Sequence, residues 1–227
     1  MKGLKFKALH IVAFMFGVFI LFLTGSRTSF IALLVTVIIM YLYWAKLRSL
    51  NFGKSLVITV VFSLLIFIVY NVVLSLLPVL MEKFTVESVL DSGGTGRIDI
   101  WLAYLFEYFP KYWLFGIGFD PLNMYYAMKA VNGIGHGAHN IIIEILSSTG
   151  LVGLAIYGIT IFRSYRDMSR EAIKDMEMMI PMALLTNSLM VGIGENAIGG
   201  RFVWLAVGLG VAFIEINKKG KKDIANA

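Results

Sequence analysis

Apolar residues fall in six runs, at 6–23, 30–45, 55–77, 140–162, 178–194 and 202–216, separated by polar or basic stretches. A helix needs about 17 to 25 residues to cross the hydrocarbon of a bilayer. The third and fourth runs meet that length outright, and the others reach it with their flanks. The pattern predicts an all-α fold, a polytopic transmembrane helical bundle of about six spans that forms one membrane domain over residues 1–227. The chain starts "MKGLKFK", a basic head like that of a secretory signal. Its apolar stretch is long and shows no small-x-small cleavage site, so an uncleaved first helix is expected.

Residues 80–139 separate the third run from the fourth and form one large loop. Within it, "RIDIWLAYLFEYFPKYW" sets Ile98, Trp101, Leu102, Leu105, Phe106 and Phe109 at helical spacing, which makes one apolar stripe. Asp99 suits the positive end of such a helix. Pro110 disfavours helical geometry in the residue before it, so the helix is expected to stop near Phe109. Its aromatics predict an amphipathic helix lying along the membrane interface. The "LFGIGFDP" that follows reads as a tight glycine turn.

Composition agrees with the membrane assignment. The chain is 59% hydrophobic and 15% charged, with a mean hydropathy of +0.82, whereas soluble domains carry about 25% charged residues. The net charge of +6 does not point to nucleic acid, because the basic residues sit between apolar runs instead of clustering on one element. Without cysteine there is no disulfide framework, thiolate nucleophile or cysteine-ligated metal. Lys and Arg are retained on the cytoplasmic side. With the N-terminus inside, the inner segments hold 14 of the 20 basic residues. Both termini are therefore expected to be cytoplasmic, and loop 80–139 extracytoplasmic.

Three outward-facing features could carry chemistry. Arg27 lies in "TGSRTSF", a very short outer turn, where a guanidinium either snorkels to the interface or binds an anion. Arg97 lies in "DSGGTGRID", whose glycines allow close backbone approach to a phosphate at a helix start. A flexible loop capped by Thr95 has the same appearance. His139 and Asn140 stand at the mouth of the fourth run. A histidine there can exchange a proton with a hydroxyl at the boundary of lipid and water, or it can serve as a polar anchor. His136 could share a metal with His139, but no third ligand is suitably spaced, so no metal is expected. Glu144, five residues after His139, is off its face of a regular helix. Glu195 and Arg201 bracket the last outer turn and could pair with each other.

From His139 the chain reads His-Asn, nine residues, then Gly150-Leu-Val-Gly153. This resembles the H-N-x9-G-x-x-G signature of the O-antigen ligase/polymerase family, bacterial membrane glycosyltransferases. "SRT", "GTGR…W" and "GIG" occur in the order and at the distances found in that family. The resemblance covers residues 20 to 160 best. It implies transfer of a saccharide from undecaprenyl diphosphate to a glycan acceptor hydroxyl at the outer face of the bacterial cytoplasmic membrane, with no cofactor and no metal. It also implies His139 as the catalytic histidine, Arg27 and Arg97 as ligands of the diphosphate, and Asn140, Gly150 and Gly153 as supporting residues. Glycines three apart on one span predict close approach of a neighbouring helix. Family members have about ten to twelve spans, so the likeness is to a C-terminal half. A split gene, a truncated frame, and a half that works with a separate N-terminal half are the alternatives.

Two functions of different class follow from the sequence. One is a lipid-linked oligosaccharide transferase of ligase or polymerase type. The other is a non-catalytic truncated or accessory subunit that binds a polyprenyl carrier or a partner. A transporter is disfavoured, because no span carries an acidic residue near its middle. Neither the sugar nor the acceptor can be read from the chain. The charge asymmetry itself is testable: a cysteine replacing Ser92 should react with an impermeant thiol reagent from outside the cell, and one replacing Ser169 should not. Labelling in the opposite sense would invert the topology.

Overall fold

The computed structural model describes residues 26–76, 100–102, 104–118, 138–194 and 201–225, with residues 12, 16, 17, 20 and 21 also placed in helical conformation. The described residues are helical and contain no strand. Helix α1 (Arg27–Leu47) and helix α2 (Phe52–Leu76) take up the second and third apolar runs. A π-helical turn (Tyr104–Tyr108) leads into a short helix α3 (Phe109–Tyr112) in the large loop. Helix α4 (Ile141–Ala172), a 3-10 turn (Met176–Met178), helix α5 (Met179–Gly192) and helix α6 (Arg201–Ala225) complete the order. Among these, Thr28–Leu47 and Ile141–Ala172 are long and apolar enough to cross a membrane.

Helix α5 packs against α1, α4 and α6, and α6 also packs on α4. Their shared core is rich in methionine, with Met168, Met178 and Met182 joined by Leu185, Val203 and Ala206. At Gly210 the absence of a side chain lets α6 close on α4: a Cβ there would come within 2.5 Å of Met168 Cε. Small residues at such crossings are how helices without a hydrophobic driving force gain contact. Helix α2 packs on α1 and leaves Leu56, Val57, Leu64 and Leu65 exposed.

Helix α4 is not a straight rod. Gly150 has φ 65° and ψ −165°, a region open essentially to glycine alone. Lengths show that this is a sharp bend. A straight helix from Ile141 to Ala172 would measure about 47 Å, and the stretch from Met176 to Ile193 about 26 Å. These two stretches share both ends. A turn closed by Lys174 and Asp175 N–H on Glu171 O joins them at one end, and Asn140 Nδ2 donates to Ile193 O at the other. The lengths match only if the outer arm, Ile141–Thr149, folds back at Gly150 instead of prolonging the inner arm. Gly153 is the seat for this fold, because a Cβ there would collide with the Thr149 side chain of the same helix. The glycine pair thus forms an elbow within α4, and the expected approach of a second helix at Gly150 and Gly153 gives way to that finding.

Breaking a helix strands backbone groups, which cannot be left unpaired in a water-poor setting. The segment after α3 takes them up. Ile117 N donates to Ser147 O at 2.8 Å and Gly118 N to Ser148 O at 3.0 Å. In return Leu151 N donates to Trp113 O at 2.8 Å and Val152 N to Leu114 O at 3.2 Å. The backbones meet so closely that a Cβ at Gly116 would lie 2.5 Å from Ser147 O, and one at Gly150 would overlap Leu114. The expected glycine turn is therefore the piece that fills the break. Pro110 does not end the loop helix as expected. It sits in the first turn of α3, where its missing N–H would have had no helical partner, and the π-helical turn before it absorbs the change of register.

Gly150→Ala should lower the melting temperature in detergent sharply, because it combines a glycine-only conformation with a clash against Leu114 backbone. A Cβ at Gly158 would meet nothing within 4 Å, so Gly158→Ala is the matched control. Equal melting of the two variants would refute the elbow.

Candidate functional site

One end of the bundle collects three elements. Helix α1 begins there with Ser26 as its cap: the Ser26 hydroxyl accepts from Ser29 N at 3.2 Å and donates to Ser29 Oγ at 2.9 Å. Arg27 is the first residue of α1. Its neighbour Thr28 lies against the end of α5, since a Cβ on Gly194 would come within 2.6 Å of the Thr28 side chain. The residue before that glycine, Ile193, accepts the 3.2 Å hydrogen bond from Asn140 Nδ2. Through the end of α5, then, the N-termini of α1 and α4 meet. Each contributes the positive end of a helix dipole.

Asn140 does two things with one amide. Its Oδ1 accepts from Ile142 N at 2.9 Å and Ile143 N at 3.2 Å, which caps α4, while its Nδ2 ties that cap to α5. An amide carries its acceptor and its donor on separate atoms, which a carboxylate of the same shape does not. Glu144, in the first turn, is 6% exposed. His139 precedes the cap, half-buried, with φ 48°. That left-handed conformation is uncommon for a residue with a side chain and marks a backbone held by its surroundings.

The loop segment braces the same place. Trp101 Nε1 donates to Ala138 O at 2.7 Å, one residue before His139. Ile100 and Tyr104 are buried against Leu146 of the outer arm, with Trp101, Tyr108 and Ile143 packed around them. Tyr104, Tyr108 and Tyr112 stack in sequence with centroids 6.5 Å and 5.8 Å apart. The Tyr104 hydroxyl has no hydrogen-bond partner among the described residues, and burial pushes its pKa up to about 12, so it stays a neutral donor. In the crook of the elbow lies an open groove of about 270 Å³, lined by Ile145, Thr149, Gly153, Ile156, Tyr157, Thr160 and Trp204.

The structure thus brings His139, Asn140 and the start of α1 at Arg27 to one end of the bundle and places Gly150 and Gly153 in the elbow behind them. Arg97, His136 and Glu195 lie outside the described residues. Among the described residues no cluster of three or more His, Asp or Glu side chains is arranged to hold a metal. Two contributions escaped the sequence analysis. The Trp101 bond joins residues 37 apart, and the stitching at Gly150 joins "GIG" to a glycine inside an apolar run. The only hint was that each belongs to one of the short motifs of the resemblance.

No curated protein and no solved structure matches the chain. The family model described as O-Antigen ligase matches residues 12–158, well over half of the chain, from the first helical residues through Arg27, Arg97 and His139 to just beyond the elbow. That match takes in every element that converges on His139 except the end of α5, and by it the chain belongs to the O-antigen ligase family.

Proposed function

We propose that the protein transfers an undecaprenyl-diphosphate-linked oligosaccharide to an acceptor sugar hydroxyl at the outer face of the bacterial cytoplasmic membrane, as a ligase or polymerase, without a metal. The observation that carries this is the convergence of two helix N-termini beside His139. As the bond from the sugar carbon to the diphosphate breaks, its electron pair leaves with the diphosphate. Fixed positive charge stabilises that leaving group most where water is scarce. Arg27, at the start of α1, and Arg97, four positions before Trp101 in the chain, supply guanidiniums for it. The acceptor oxygen forms the new bond to the sugar carbon, and His139 takes its proton or aligns it. The groove in the elbow is largely apolar, and its Thr149 and Thr160 hydroxyls are spent on carbonyls of their own helix, which is the chemistry an isoprenoid chain requires.

In this reading both termini are cytoplasmic and the large loop, with its Ile100–Gly118 segment along the interface, is extracytoplasmic. The exposed apolar side of α2 faces lipid or a separate N-terminal half. The test is transfer of a lipid-linked saccharide in membranes, measured per inserted protein, with such a half supplied and no added divalent metal. His139→Ala should reduce transfer about 100-fold to 10,000-fold, the usual range for an acid-base group, and His136→Ala far less. Arg27→Ala and Arg97→Ala should each lose about tenfold to hundredfold, with Lys restoring only part because it lacks the bidentate fork. A wild-type rate in His139→Ala removes the site. Absence of transfer by the unaltered chain leaves the accessory role.

A further inference from the structure

His139 is flanked by two hydrogen bonds that act on its backbone neighbours. On one side Asn140 holds the start of α4 to Ile193; on the other, Trp101 Nε1–H holds Ala138 O at 2.7 Å. Ala138 is fully buried, so this carbonyl has no water to turn to if the indole is lost. Between the two bonds His139 keeps φ 48°. A residue with a side chain gains by leaving that region. It stays there only while its neighbours are held.

Trp101 is well suited to do the holding. Its ring packs in the cluster that Ile100, Tyr104 and Leu146 form on the outer arm. The far end of the same segment is fixed to the elbow by four backbone hydrogen bonds between residues 113–118 and 147–152. The indole is therefore mounted on a brace clamped at both ends, with its N–H aimed at the peptide that enters His139. We propose that Trp101 is a positioning residue: through Ala138 O it holds His139 in its left-handed conformation, and so sets the direction of the imidazole. This rests on the function proposed for His139 only where turnover is concerned.

The test uses the full chain in nanodiscs with ring-labelled histidine, so that His10, His136 and His139 are each followed by NMR, assigned by substitution. Trp101→Phe removes the N–H and keeps an aromatic ring. Phe109→Leu disturbs the same cluster without touching the bond. In Trp101→Phe the His139 ring signal should shift and broaden while His10 and His136 stay in place, and in Phe109→Leu His139 should stay as well. An unmoved His139 signal in Trp101→Phe, or the same displacement in Phe109→Leu, overturns the proposal. If Trp101→Phe does not insert, a benzothienyl analogue of Trp101, which keeps the shape and replaces the N–H by sulfur, gives the same reading. In the transfer assay, loss of this bond should lower kcat about five- to tenfold with the KM for the lipid-linked donor unchanged. A raised KM with unchanged kcat counts against positioning. Because the NMR result does not depend on transfer, an inactive wild-type chain tells against the proposed reaction and not against the role of Trp101.

Discussion

A helix that must turn inside a membrane protein frees backbone groups that lipid cannot satisfy, and most of the architecture around His139 answers that constraint. The turn at Gly150 exposes carbonyls of Ser147 and Ser148 and amides of Leu151 and Val152, and the segment from Trp113 to Gly118 pairs with all four. Each such group left unpaired away from water would cost several kcal/mol by order of magnitude. The loop segment and the elbow are therefore one unit, each pairing backbone groups that the other exposes. Gly116 and Gly150 allow the two backbones to touch, and Gly153 accommodates the Thr149 side chain as the arm folds back.

The site inherits its geometry from that unit. Because the outer arm folds back, its N-terminus reaches the end of α5 and the start of α1 instead of standing apart from them. Asn140 then fixes the arrival by spending its acceptor on the helix and its donor on Ile193. The consequence is electrostatic: positive helix ends from α1 and α4 face one region, next to a histidine in a constrained backbone. The transfer proposed above, from an anionic lipid carrier, has use for that combination.

Much of this was legible in the chain. The apolar runs at 30–45, 55–77 and 178–194 became α1, α2 and α5 within a few residues, and Asn140 begins α4 where the fourth run starts. Helices α4 and α6 run further than their apolar runs, because Arg163, Arg166 and Arg170 in one and Lys218 and Lys219 in the other are good helix formers once the apolar face has been buried. The elbow was not legible. Apolar periodicity records which residues avoid water and says nothing of a φ angle, so Gly150 looked like any glycine in a span. Its true partners lie more than thirty residues earlier, beyond the reach of any local pattern. The same distance hid Trp101, whose ring fits an apolar stripe equally well with or without its hydrogen bond to Ala138.

The methionines of the core have a meaning of their own. Met168, Met178 and Met182 fill the seam between α4, α5 and α6, and Met168 closes against Gly210. Unbranched thioethers repack at low cost when their surroundings shift. The end at His139 is tied by directional hydrogen bonds instead. Those bonds therefore fix the end that carries His139, while the seam between α4, α5 and α6 is filled by side chains that adapt their shape to it.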